Sequence, residues 1–242
     1  MFLSTIELGP EAESSQAFWK SIAAPGGAHR AIWRLFSRHP EQRRDFLFRH
    51  EVAARGRPRF FVLSAQPPAE DVDDGLWSIE TKPFAPKLSV GDRLQFSLRA
   101  SPTVTKPIEK GGKSHRHDIV MNAKLAAEEG APPCDVVLLV QETGERWLRA
   151  RSARSGFELE SGTVERVGDD GLIEEQEVTL LKVDGYQQHC LYRRSGEPIR
   201  FSTMDFEGVL IVREPKTFLD QVTQGFGPQK AFGCGLMLLK RA

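Results

Sequence analysis

The glycine-punctuated tail narrows the possible folds of this chain more than any other segment. Residues 206–239 read FEGVLIVREPKTFLDQVTQGFGPQKAFGCGLMLL. A strand-like run from Val209 to Val212 leads into a short amphipathic helix from Pro215 to Val222. The doublet Gly225-Phe226-Gly227 follows, then five residues, then Gly233-Cys234-Gly235 and a last apolar strand. Glycine in this pattern lets the backbone take positive φ and pass close to another backbone. A loop with free N–H groups beside a helix can also hold an anion such as an RNA phosphate. One isolated GxG is an ordinary tight turn. Two of them around Lys230, at the end of a βαβ-like segment, are far more specific.

Charge points the same way. The 242 residues carry 33 Lys and Arg against 33 Asp and Glu, a zero sum that argues against a nucleic-acid protein only if the charges are evenly spread. They are not. Residues 30–59 hold nine arginines and three acids, and Lys106, Lys110, Lys113 and Arg116 face a single Glu109 between residues 101 and 117. The balancing acid lies at Glu11 and Glu13, from Glu70 to Asp74, and from Glu165 to Glu177. Basic blocks raise the local concentration of a polyanion and supply phosphate contacts; the bland alternative is a set of solvated faces.

Periodicity supplies an outline. FLSTIEL alternates as a strand, residues 10–25 read as a loop ending in Pro25-Gly26-Gly27, and Ile32, Trp33, Leu35 and Phe36 recur at helical spacing from Ala28 to Ser37. Strands follow at 45–52, 59–63 and 76–81, with a loop and short helix near the acidic run at 70–74. That β-α-β-β-(α)-β order is the ferredoxin-like, RRM-like unit. Residues 83–91 read as a linker. A second unit then runs through a strand at 93–100, a basic loop, a helix from about Cys134 to Arg151, strands near 157–166, 186–192 and 200–212, the helix after Pro215, and the last strand from Leu236. The expected fold is α+β, two tandem ferredoxin-like βαββαβ domains at 1–84 and 92–242, with residues 167–177 as a surface elaboration.

The ordered motifs resemble one family. The tail, together with MFLSTIEL at 1–8, HRAIWRLF at 29–36, RDFLFRHE at 44–51, FSLRASPTVTK at 96–106 and FEGVL at 206–210, is similar to the CRISPR-associated repeat endoribonucleases. The likeness is to the CasE type, which serves in the type I-E surveillance complex Cascade. The resemblance implies two ferredoxin-like domains. It also implies binding of the stem-loop of CRISPR repeat RNA and a metal-independent cut at the 3′ base of that hairpin, leaving a 2′,3′-cyclic phosphate. The enzyme would then stay on the product as a Cascade subunit. No cofactor is expected. The partners implied are the repeat hairpin, as precursor and as mature crRNA, and the other Cascade subunits, without a membrane.

Metal-free RNA cleavage needs a base for the 2′-OH proton and an acid for the 5′-oxygen, and histidine suits both near neutral pH. Of His29, His39, His50, His115, His117 and His189, only His29 opens an amphipathic helix beside the basic block, and it matches the family's catalytic histidine. Arg30 and Arg34 in the next turn are candidates to steady phosphorane charge. Some relatives carry a tyrosine three residues before this histidine; here that position is Gly26, and Ser37, Lys20 or an arginine stand as replacements. Phosphate contacts are expected from Lys106, Lys110, Lys113, Arg116 and Arg200. Arg193 and Arg194, at a hairpin turn, and the tail residues Gly225, Gly227, Lys230, Gly233 and Gly235 complete the expected RNA surface. The His115-Arg116-His117 run has only Asp118 to extend it, so it reads as a basic loop and not a zinc site.

The remaining numbers set bounds. Cys134, Cys190 and Cys234 are isolated, with no CxxC spacing, which fits a reducing cytoplasm. No apolar run approaches a membrane span. Two other functions share this outline: a non-catalytic RNA-binding module of the same fold, and a ferredoxin-like regulatory or metabolic protein whose basic faces meet an acidic partner.

Overall fold

The computed structural model describes residues 1–24, 26–36, 45–52, 57–69, 75–106, 115–126, 135–167, 173–192 and 196–242. Two sheets organise them. In the first, β1 (Phe2–Leu8), β2 (Phe46–Val52), β3 (Pro58–Ser64) and β4 (Trp77–Pro83) lie in the order β2-β3-β1-β4, with every neighbouring pair antiparallel. In the second, β5 (Arg93–Ala100), β11 (Leu181–Leu191), β12 (Ile199–Val212) and β13 (Met237–Arg241) lie in the order β11-β12-β5-β13, again antiparallel. Numbered within its own unit, each sheet runs second, third, first, fourth, which is the ferredoxin-like arrangement expected from the sequence.

The first sheet buries Ile6, Phe48, Phe60 and Val62 against Ile32, Leu35 and Phe36, the apolar stripe of the HRAIWRLF segment. That stripe begins in α3 (Gly27–Arg34). The opposite face contributes Leu47 and Leu63 to the core of the second unit, with Phe96, Leu98, Trp147, Phe206 and Phe218. The two sheets therefore share apolar packing, and area removed from water on both faces of β2 and β3 holds them together.

Two local expectations change and a third gains detail. Residues 10–25 are not a loop: α1 (Pro10–Ser14) and α2 (Gln16–Ala23) occupy them. Pro10 suits a first helical turn, Ser15 Oγ accepts from Phe18 N at 3.3 Å as a cap, and Phe18 and Ile22 lie one turn apart. The basic loop after β5 is a hairpin, β6 (Thr103–Lys106) with β7 (His115–Asp118), followed by an unforeseen helix, α4 (Ile119–Ala126). Asp118 Oδ1 starts that helix by accepting from Met121 N at 2.8 Å. The acidic insert is a two-stranded arm. β9 (Ser161–Val167) pairs with β10 (Ile173–Thr179), from Ser161 opposite Thr179 to Val167 opposite Ile173. The arm interrupts the second strand position of its unit, so β8 (Phe157–Leu159) pairs with Leu210–Val212 of β12 while β11 covers the rest. The helix α5 (Val136–Ser152) packs on this sheet, and α6 (Pro215–Gln224) leads into the tail. The short helix anticipated near residues 70–74 falls outside the described residues.

Candidate functional site

A cleft of about 450 Å³ opens where the two units meet. His29, His50, Arg99, His189 and Asp205 line it, with the tail residues Ala231, Phe232 and Gly233 along one side. His29 reaches the cleft from the third position of α3. Gly26 caps that helix at φ 67°, in the left-handed region, and the Gly27 N–H donates to Ala24 O at 2.7 Å. A side chain at position 26 would be strained, which is a physical reason for glycine there. The His29 ring packs on Phe46 at 5.4 Å and Phe48 at 6.1 Å, alternate residues of β2.

His50 is the next residue on that face of β2. It is exposed and stacks on Phe60, its direct cross-strand partner, at 4.9 Å and 23°. His189 on β11 stacks on its own cross-strand partner Phe201 at 4.7 Å and 21°, and its Nε2 lies 2.9 Å from Thr203 Oγ1. Phe232 continues this stack at 5.0 Å from Phe201. Between the two histidines stands Arg99. Its Nε and Nη2 donate to Asp205 Oδ1 and Oδ2 at 2.7 Å each, a bidentate pair that raises the guanidinium above its ordinary value. Its Nη1 reaches the His50 carbonyl at 3.5 Å. Desolvation first, and the Arg99 charge second, hold both His50 and His189 below the usual histidine range; for the exposed His50 the desolvation comes from the cleft walls. Behind His50, Arg49 is buried. Its Nε is 2.8 Å from Glu51 Oε1, a charge contact without hydrogen-bond geometry, and desolvation lowers its pKa.

The tail forms the junction beneath the cleft. Gly225, Gly227, Gly233 and Gly235 all have φ between 74° and 96°. The Phe226 N–H donates to Gly235 O at 2.9 Å and the Gly235 N–H to Arg99 O at 2.7 Å, so the two doublets fold onto each other and onto β5. A Cβ on Gly225 would stand 2.8 Å from Leu47 and 3.1 Å from Gly235 O. Cys234 is fully buried there, and desolvation pushes its thiol up to about 12, which removes it as a nucleophile.

The other anticipated residues divide. Arg116 and Arg200 line an adjoining depression of about 670 Å³ that shares His189 and Phe201 with the cleft. Lys106 is exposed at the end of β6, and Lys230 donates through Nζ to Gln224 O. Arg30 is exposed on α3, its Nη1 near Gly26. Arg34 is not brought to His29; it lines a separate depression between α2, α3 and Trp77. Lys20 is exposed on α2 and does not line the cleft. Lys110, Lys113, Arg193, Arg194 and Ser37 fall outside the described residues. Asp118, beside the His115–His117 run, caps α4 and accepts from Tyr186 OH at 3.2 Å. Among the described residues no group of three or more His, Cys, Asp or Glu has metal-ligand geometry. Sequence reasoning missed His50, Arg99, His189 and Asp205. Only His50 carried a local signal, its alternation with Phe46 and Phe48.

A profile of the family described as CRISPR associated protein matches residues 1–241. The chain belongs to this family. It is 30% identical over 244 residues to the CRISPR-associated endoribonuclease Cse3 of Thermus thermophilus, covering 98% of each chain. It is also 30% identical over 215 residues to the CRISPR system Cascade subunit CasE of Escherichia coli, covering 87% of this chain and 89% of that one. A solved structure of the CRISPR endoribonuclease Cse3 bound to a 19 nt RNA superposes with a TM-score of 0.69 at 26% identity, covering 99% of this chain and all of that one. Among the described residues no helix is long and apolar enough to cross a membrane.

Proposed function

We propose that this chain is a metal-independent endoribonuclease that binds the stem-loop of CRISPR repeat RNA, cuts at the 3′ base of the hairpin, and stays on the product as a cytoplasmic Cascade subunit. The observation that carries the proposal is His29. It stands at the head of a helix, in a cleft between two ferredoxin-like sheets, in a chain 30% identical to a relative named as an endoribonuclease over nearly its whole length. Residues 1–84 form the domain that holds this histidine, and residues 92–242 the domain that supplies most of the RNA surface.

The basic residues divide the work of binding. Arg116 and Arg200 in the adjoining depression, with Lys106 at the end of β6 and Lys110 and Lys113 after it in the sequence, contact phosphates. Arg193 and Arg194, between β11 and β12 in the sequence, enter the end of the RNA stem. The tail glycines let the backbone cross beneath the cleft and so bring Gly233 and the exposed Lys230 toward the RNA, and Arg30 follows His29 on the same helix. The cut itself is an attack by the RNA's own 2′-OH. The new O–P bond closes the 2′,3′-cyclic phosphate, the P–O5′ bond breaks, and a 5′-OH leaves. The protein supplies proton transfer and charge stabilisation.

Incubation of a repeat hairpin from the same genome with excess chelator tests this reading. Cleavage with a 2′,3′-cyclic end is the expected result. A strict Mg²⁺ requirement or a 3′-OH end would contradict it. Salt-dependent binding without any cut would replace it with a non-catalytic RNA-binding module, and failure to bind RNA would replace it with a protein of another function.

A further inference from the structure

We propose that His50 is the second proton-transfer residue of this cleft, taking the 2′-OH proton while His29 delivers one to the leaving 5′-oxygen. The proposal rests on the endoribonuclease reading above and adds a catalytic residue to it.

Position comes first. Phe46, Phe48 and His50 point to the same face of β2 because side chains alternate along a strand. His29 sits over the first two rings, and His50 follows Phe48 by two residues, about 7 Å along the strand. Two imidazoles thus share one wall of one cleft, separated by a single phenylalanine. That arrangement can place one hydrogen bond on each side of an in-line phosphorane. His50 is exposed on this wall, and Gly233 passes beside it with its Cβ position 3.4 Å from Phe48 and 3.7 Å from His50 N, an ordinary van der Waals contact. Stacking on Phe60 fixes the His50 ring plane while the residue stays exposed to the cleft.

The other proton acceptors of the cleft are occupied. Gly26 supplies no phenol. Tyr186 does not line the cleft, and its hydroxyl is engaged with Asp118 and Gln188. Asp205 is held bidentately by Arg99. His189 engages Nε2 with Thr203 Oγ1. His50 is the remaining candidate among the described lining residues.

Charge favours the same residue. The groups around His50 are Arg99 from β5, Asp205 from β12, His189 from β11, His29 from α3, and Glu51 with its partner Arg49 from β2 itself. Desolvation and Arg99 lower the His50 pKa, against a smaller opposing effect of Glu51. The surroundings therefore favour the neutral ring, the form that accepts a proton. The step balances without another reactant. The 2′-oxygen bonds to phosphorus and gives its proton to His50, the P–O5′ bond breaks, and the 5′-oxygen takes a proton from His29. The two histidines exchange protonation states, and solvent resets them.

Single-turnover cleavage of the repeat hairpin in chelator, from about pH 5 to about 9, decides the matter for wild type, His29→Ala, His50→Gln, His50→Ala and His189→Ala. The expected result is a loss of roughly 10²–10⁴-fold for His50→Gln at neutral pH, with hairpin affinity retained. On the acidic side its log rate should keep climbing with pH where wild type levels off, because hydroxide replaces the missing base while His29 still carries its proton. Added imidazole should restore part of the rate to pre-bound His50→Ala. That measurement also decides the case if His50→Gln binds or folds poorly: no rescue of the bound complex overturns the assignment. A His50→Gln rate and profile matching wild type, while wild type cuts normally, overturns the His50 assignment alone. So does an acidic limb that is lost only in His189→Ala. A wild-type protein that never cuts overturns the endoribonuclease reading together with this one.

Discussion

The edge strands β2 and β11 occupy the same position in their two units, and each presents a histidine stacked on the residue directly across from it. His50 lies on Phe60 at 4.9 Å, His189 on Phe201 at 4.7 Å, with ring planes within 23° and 21° of parallel. Their surroundings differ. Across from β11, Thr203 holds a ring nitrogen of His189, and Phe232 extends the stack into a three-ring ladder. Beside β2, His29 arrives from a helix, and the His50 ring is held by stacking on Phe60. On the proposed reading the same local arrangement serves two purposes: a reactive wall on the first unit, a stacking surface joined to the basic depression on the second. Topology places a residue, and its neighbours decide its chemistry.

Substitutions on either wall put that contrast to the test. The largest effect belongs to the first wall. His29→Ala should slow single-turnover cleavage by roughly 10²–10⁴-fold while gel-shift affinity for the hairpin stays near wild type; cutting at the wild-type rate would empty the wall of its chemical role. On the second unit, Arg193→Ala with Arg194→Ala should act the other way, weakening affinity more than the bound chemical step. The slope of log K against log salt should become shallower by about 2, one for each phosphate left without its arginine. An unchanged slope would show that Arg193 and Arg194 meet something other than RNA.

The junction between the two walls comes next. Gly225→Val places a branched side chain at φ 77° and ψ 158°, against Leu47 and the Gly235 carbonyl. It should cost about 1–3 kcal/mol, lowering the melting temperature by several degrees, whereas Cys234→Ala should cost less and leave cleavage intact. A melt showing the reverse order would mean that the buried thiol, and not the backbone crossing, holds the junction. The smallest effect is on pH. His50 and His189 have folded pKa values below the ordinary value of about 6.5, so the unfolded chain binds their protons more readily. Stability contributed by the neutral rings is present above that value and is lost as pH falls below it. Melting temperatures should drop modestly on acidification from neutrality, and the double variant His50→Gln with His189→Gln should flatten that drop.

Much of the fold was legible because its signals are local. The alternation of FLSTIEL and the i, i+3, i+4 stripe of HRAIWRLF report burial on one face, and those faces do form the first core. The tail glycines announced positive φ for the same reason, since that preference belongs to single residues. The failures were local as well. Residues 10–25 looked like a loop because their polar and small residues hide Phe18 and Ile22, which matter only once β4 supplies Trp77, 5.1 Å from Phe18, as a partner. The β9–β10 arm has few buried residues, so no pattern marked its second strand.

The candidate site divides along the same line. Composition and motif order establish that a histidine heads an amphipathic helix, that basic residues cluster, and that four glycines frame a backbone crossing. Long-range packing alone could bring His29, His50, Arg99, His189 and Asp205 to one cleft, because they come from five different elements between residues 29 and 205. Their meeting depends on the packing of Leu47 and Leu63 into the second core and on the registers that set His50 opposite Phe60 and Asp205 opposite Arg99. A one-residue slip in either register would turn these side chains to the other face of the sheet. Register is a property of paired strands, and no single segment of the chain encodes it.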